Sequence, residues 1–136
     1  MRRAIPSLVA TAAVAVFGIA LLQAQSAPKR NNLIEQLADR VDRGEVQLEY
    51  KAPWGYLESL LKNLDINIDS QVLVFSRTSL QQDHIGPKTP RAIFFNDTVQ
   101  VGSVQNGRVF ELMAADTNDG QGLHYVFERT STTFRS

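Results

Sequence analysis

A polar loop between two apolar runs, residues 76–91, holds the side chains of this sequence that are best suited to chemistry. Four of them can carry a positive charge at mildly acid pH: Arg77, His84, Lys88 and Arg91. Two prolines restrict the loop backbone, which lowers the entropy cost of presenting side chains to a ligand. The composition fits a site for an anion or another ligand. On composition alone, a solvated surface loop whose charges pair with Asp83, Asp97 and Glu58 is favoured over such a site.

Arg77 ends one predicted strand and Arg91 begins the next, so pairing of the two strands brings their guanidinium groups together. Such groups repel each other unless an anion or a carboxylate lies between them. We therefore expect Arg77 and Arg91 on the same side of the sheet, with His84 within reach of one of them.

Catalytic and metal-binding patterns are weak in this chain. Ser79, Asp83 and His84 can be written as a triad, but they are common residues in one loop without a nucleophile elbow. The two histidines, His84 and His124, have no spaced set of further ligands for zinc or iron. We predict no catalytic residue and no metal site. A small hydrolase that uses His84 stays open as an alternative.

Composition excludes several classes of protein. The chain has 136 residues and no cysteine, which rules out disulfides, thiolate metal sites and covalent haem attachment within it. The formal net charge is 0, which argues against a nucleic-acid partner. No cofactor is expected in this chain.

The first residues, 1–24, have the three-part pattern of a secretory signal peptide. Arg2 and Arg3 precede an apolar run, and small residues follow, with cleavage expected after Ala24 or Ser26. An uncleaved membrane anchor is the alternative, although the apolar run is shorter than the ~20 residues that span a bilayer. We expect an exported protein, periplasmic or extracellular, that contacts a membrane only through this leader.

After a linker, residues 25–32, the pattern predicts a single α+β domain over residues 33–130 and a frayed tail over residues 131–136. Two amphipathic helices come first, the first from Leu33 to a glycine at 44 and the second from Trp54 to Leu64. The alternation in residues 45–50 suggests a short edge strand. Four to five antiparallel strands follow, and Asn106-Gly107 is the strongest hairpin signal. The predicted strands are residues 71–77, 91–96, 98–105, 108–114 and 123–129.

The apolar residues of these elements give the predicted core. On the covered face of the sheet we expect Val72, Val74, Ile93, Phe95, Val101 and Phe110. From the helices we expect Leu37, Leu60, Leu61 and Leu64 to pack on that face.

Three matched segments resemble the N-terminal part of a family of exported bacterial proteins that are described as cytochrome c-like or cytochrome c domain-containing. The segments are a Val-Phe-Ser strand at 74–76, an Ile-x-Pro-x-Thr-Pro-Arg-Ala-Ile loop at 85–93 and a Phe-Asn-Asp turn at 95–97. The resemblance covers about residues 56–134. It implies an electron-transfer context and a haem-bearing C-terminal segment or a redox partner. In longer members a CxxCH motif is expected just after the segment that resembles residues 125–135, so haem c is expected only if the full-length protein continues past Ser136. A stand-alone periplasmic module that binds a ligand or a protein through the basic loop is the alternative.

The predicted signal peptide can be tested by its cleavage. Protein expressed in a Gram-negative host should have a mature N-terminus at Gln25 or Ala27 when its mass is measured. An intact Met1 in the membrane fraction would favour the anchor instead.

Overall fold

Six antiparallel strands form one sheet in which every strand pairs with the next strand along the sequence. The structure is a computed structural model that describes residues 30–136, so the predicted leader lies outside the described residues. The strands are β1 Val72–Val74, β2 Arg91–Phe95, β3 Val99–Val104, β4 Val109–Ala115, β5 Gly122–Glu128 and β6 Phe134–Arg135. Short 3-10 helices span Ile68–Ser70 and Gln82–His84. With the two helices that precede the sheet, this confirms the predicted α+β class.

The first helix, α1 Leu33–Asp42, is fixed at its start by Asn32. The Asn32 side-chain oxygen accepts hydrogen bonds from the backbone N–H groups of Ile34 (3.0 Å) and Glu35 (3.1 Å), which a helix start leaves without partners. The Asn32 amide also donates to the hydroxyl of Tyr125 on β5, at 2.8 Å. Burial raises the pKa of Tyr125, so the hydroxyl stays neutral in this contact. One buried side chain thus caps α1 and ties it to the sheet.

The second helix, α2 Leu57–Asn63, begins later than the predicted start at Trp54. The Lys51 N–H donates to the Gly55 carbonyl at 2.9 Å and closes a turn, and Gly55 has a φ of +66°, which a helix does not contain. Trp54 lies before the helix and is exposed. Among residues 30–136, no helix is long and apolar enough to cross a membrane.

Two further expectations about strands are corrected. Residues 46–50 form no strand; the Glu49 N–H bonds instead to the Ser59 hydroxyl at 3.1 Å. The predicted frayed tail contains β6, because Phe134 packs its ring against that of Phe127, with centroids 4.6 Å apart. The sheet therefore has six strands rather than four to five.

The two helices cover one face of the sheet, and the core lies between them. This core face carries the side chains that alternate inward along β2 to β5. The buried ones are Phe94, Val99, Val101, Phe110, Leu112, Ala114, Tyr125 and Phe127. The predicted helix contributions, Leu37, Leu60, Leu61 and Leu64, are confirmed as buried.

The predicted face of β1 and β2 is wrong by one residue. Phe94, and not Phe95, points into the core, with exposed fractions of 4% and 42%. Val72 is likewise exposed, and Val74 and Ile93 are only partly buried. β1 is apolar at every position and β2 is apolar at every position after Arg91, so alternation along the sequence does not distinguish their two faces. The cross-strand pairs Phe94–Val101 and Val101–Leu112 fix the assignment.

This assignment predicts opposite outcomes for two adjacent phenylalanines. Phe94→Ala should destabilise the fold by about 3–5 kcal/mol, the range for truncating a large core side chain. Phe95→Ala should cost under about 1 kcal/mol, as surface changes do. Urea unfolding of the two variants measures both values, and equal costs would contradict the assignment.

Candidate functional site

The face of the sheet that the helices leave open forms the floor of a cavity of about 1180 Å³. We call this face the outer face and the space above it the outer-face cavity. Its far wall is the segment from β1 to β2, residues 75–90, which we call the covering loop. Apolar floor residues are Ile93, Val109, Met113 and Val126, and Leu80 projects from the loop. Ligand pockets commonly have about 300–1,000 Å³, so the space is sufficient for an organic cofactor or a partner segment.

Gln81 holds the covering loop against the start of β4. Its side-chain oxygen accepts from the N–H groups of Arg108 (2.6 Å) and Val109 (3.2 Å), and its amide donates to the Val109 carbonyl (3.0 Å). A Cβ atom at Gly107 would overlap this amide, so the glycine of the β3–β4 turn gives the side chain room. Because these three bonds copy the pairing of a neighbouring strand, the loop backbone is positioned as firmly as a strand would be.

An ion pair between Arg91 and Glu111 lies beneath the covering loop. The Arg91 Nη2 and Glu111 Oε2 atoms are 2.8 Å apart, and the two side chains are only 16% and 13% exposed. Arg91 is on β2 and Glu111 on β4, so the guanidinium crosses β3 at Gly102. A Cβ atom there would lie 2.6–2.7 Å from the Arg91 nitrogens. The Ser79 hydroxyl also donates to Glu111, at 2.5 Å, and joins the loop to this pair.

The four loop residues singled out from the sequence do not share one surface. His84 and Arg91 line the outer-face cavity, whereas Arg77 and Lys88 are exposed and do not. Arg77 donates to the Gln82 carbonyl at 3.4 Å, and no hydrogen bond or ion pair joins it to Arg91 within residues 30–136. The carboxylate that neutralises Arg91 is Glu111, which was not among the expected partners. His84 does lie in the same cavity as Arg91.

Charges around the cavity balance each other. Three arginines and three acids line it: Arg91, Arg108, Arg135, Asp83, Glu111 and Glu128. Arg135 and Glu128 form a second ion pair, on β6 and β5, which is more exposed than the first. A cavity that is apolar at its floor and neutral overall suits a ligand with an apolar body and a few polar groups, not a small multivalent anion.

The described residues show no arrangement of side chains that supports the catalytic alternatives. Ser79 donates its hydroxyl to Glu111 and accepts from the Gln81 N–H at 3.0 Å, and in the described part of the chain it has no bond to His84. His84 and His124 both line the cavity. The described residues contain no group of three or more His, Cys, Asp or Glu side chains placed to hold a metal ion.

Two residues of this site, Glu111 and Gln81, were missed by reasoning from the sequence, and His124 was considered only as a metal ligand. Glu111 and His124 sit at outward positions of β4 and β5, and the alternation of those strands was the signal for an outward side chain. Which partner each meets depends on the register of three strands, which no local pattern gives. Gln81 had no signal, because its role rests on contacts with residues far along the chain.

Comparison of the chain with protein-family models, with curated proteins and with solved structures finds no match. The resemblance to cytochrome c-like proteins therefore stays a prediction.

The buried ion pair gives a stability prediction. Glu111→Gln leaves the Arg91 charge without its carboxylate and should cost about 3 kcal/mol, near the lower end for breaking a buried pair. Glu128→Gln is the matched control, since it removes a more exposed carboxylate from the same cavity and should cost under about 1 kcal/mol. Urea unfolding gives the two costs. Hydrogen exchange should speed up in the covering loop only for Glu111→Gln, and unchanged loop exchange would contradict the role of this pair.

Proposed function

We propose that this protein is a non-catalytic module of an exported, cytochrome c-like electron-transfer protein, and that its outer face is where a haem-bearing segment or a redox partner docks. The docking role rests on a single observation, the open outer face. It is a sheet surface with apolar side chains, and the covering loop lies over one side of it. An antiparallel sheet that faced only water on this side would carry polar residues there. Here the apolar side chains of Ile93, Met113 and Val126 point outward as well, between the charged pairs at either side of them.

The residues that carry the family resemblance support this choice of surface. The matched Ile85–Ile93 segment runs from the covering loop into β2, and it includes Arg91 and Ile93 in the cavity wall. Ile85 of the covering loop and Val104 of β3 are both buried, apart from the main core. The motif residues therefore build the surface itself, which is a reason for a docking module to carry them.

Haem c fits this chain only as a neighbour. Covalent attachment takes two thiols, and the chain has no cysteine, so the group belongs to another segment or another protein. What the chain offers is an apolar floor and two imidazoles, His84 and His124, on one cavity. Imidazole nitrogen is a common axial ligand of haem iron. When bound, the haem supplies one-electron transfer; the residues of this chain exclude water from it and orient it.

The alternative module, which holds an anionic ligand through its basic loop, is supported less well. Arg77 and Lys88 lie outside the cavity, and the charge of Arg91 is already compensated by Glu111. No observation favours a hydrolase that uses His84.

The test is a titration of ¹⁵N-labelled protein with a haem c peptide, a short CxxCH peptide that carries the group. We expect amide shifts in residues 78–84 and at outer-face positions of β3 to β5. Met113→Lys places a charge on the apolar floor and should weaken binding at least tenfold, because burying that charge is costly.

Trp54→Lys is the control, because it changes an exposed apolar residue that does not line the cavity and should bind the probe as the unaltered protein does. A change in the haem absorption spectrum that is lost in His84→Ala or His124→Ala identifies the axial ligand. Binding without a spectral change supports docking alone. Absence of binding, or shifts confined to α1 and α2, would overturn the proposal.

A further inference from the structure

The two edges of the sheet differ in how they are protected against pairing with another chain. β6 ends the sheet with Arg135, whose charge is paired with Glu128, and charged residues discourage edge-to-edge association. β1 forms the other edge and pairs only with β2. Residues 71–76 around it contain no charge and no proline, and four of them in succession are apolar. β1 therefore has neither of the side-chain devices, charge and proline, that keep an exposed strand from pairing, and only its shortness limits such pairing.

An apolar patch surrounds this open edge. Leu73 and Phe75 are 55% and 59% exposed, and Ile68, Val72 and Phe95 beside them are also exposed. Leu73 lies on the core face of the sheet, whereas Val72 and Phe95 lie on the outer face. Monomeric proteins seldom leave a contiguous patch of more than a few hundred Å² of this kind uncovered. The patch lies on both faces of the sheet at this edge. A strand added beside β1 would therefore cover part of the patch on each face.

Opposite charges flank the strand and specify how another copy would lie. Asp69 precedes β1 and Arg77 follows it, both exposed and neither in an ion pair within the described residues. The two residues are equally far along the chain from Leu73. In an antiparallel pair of β1 strands, Asp69 of each copy lies near Arg77 of the other. A parallel pair would place like charges together, which is unfavourable.

We propose that two copies of this protein associate through antiparallel pairing of their β1 strands, which joins their sheets into one continuous sheet. The arrangement is isologous: the same surface of each copy forms both halves of the interface, so no second kind of surface is needed. Two half-exposed phenylalanines, three aliphatic side chains and the strand backbone amount to roughly 600 Å² per copy, below the ~800 Å² of a standard interface. The dimer is therefore weak and reversible, with a dissociation constant on the order of 10–100 µM.

Sedimentation velocity of the purified protein, at concentrations from about 1 to 300 µM, tests this association. We expect a reversible shift from monomer to dimer. Leu73→Lys should raise the dissociation constant at least tenfold, because it places a charge at the centre of the pairing. Leu80→Lys is the matched control, since Leu80 is an exposed leucine of the covering loop away from β1, and it should leave the dissociation constant unchanged.

A charge exchange separates antiparallel self-pairing from other modes of association. Asp69→Arg or Arg77→Asp alone should weaken the dimer about tenfold, because each creates two like-charge contacts. The double variant Asp69→Arg/Arg77→Asp should restore it. Circular dichroism on each variant shows whether the fold is intact. A monomer at every concentration, a dimer that persists in Leu73→Lys, or a double variant as weak as its parents would overturn the proposal.

Discussion

The ion pair between Arg91 and Glu111 determines how the outer face of this protein is arranged. The two charges are mostly removed from water, so each depends on the other as its partner, although the Arg91 Nε atom has no hydrogen bond. Gly102 lets the guanidinium lie flat across β3, and Ser79 supplies a further donor to the carboxylate. Ser79 thereby joins the covering loop to the pair, as Gln81 joins it to β4. Loss of Arg91 or of Glu111 would leave the other charge partly buried and poorly solvated.

The sheet carries apolar residues on both faces, but the helices cover only one of these faces. The helices bury the core face, and the covering loop shields only one end of the other, near Val104. The remaining outer face and the β1 edge are separate surfaces with different chemistry. The first is a broad cavity with balanced charge that suits a shaped ligand or partner. The second is a narrow, uncharged strand edge that suits another strand.

The features that could be predicted from the sequence are those with local sequence signals. The Asn106-Gly107 turn and the four buried leucines Leu37, Leu60, Leu61 and Leu64 follow from short-range patterns, and the structure contains them. Prediction from the sequence failed where a choice depended on distant pairing. Phe94 and Phe95 are equally apolar, so only the neighbouring strand decides which is inside. Arg91 contacts Glu111 across the intervening strand β3, and β6 forms because the Phe134 ring packs against the Phe127 ring.

The bond between Asn32 and Tyr125 has a consequence for the order in which the chain can fold. The residue that caps the first helix donates to a residue 93 positions further along the chain, and the Asn31 carbonyl similarly accepts from Thr117. The strands between them pair with sequence neighbours, which closes short loops and is fast. Docking α1 through Asn32 and Tyr125 joins residues that are 93 positions apart in the chain. Closing so long a loop costs more entropy than closing the hairpins, so α1 docks after the strands have paired.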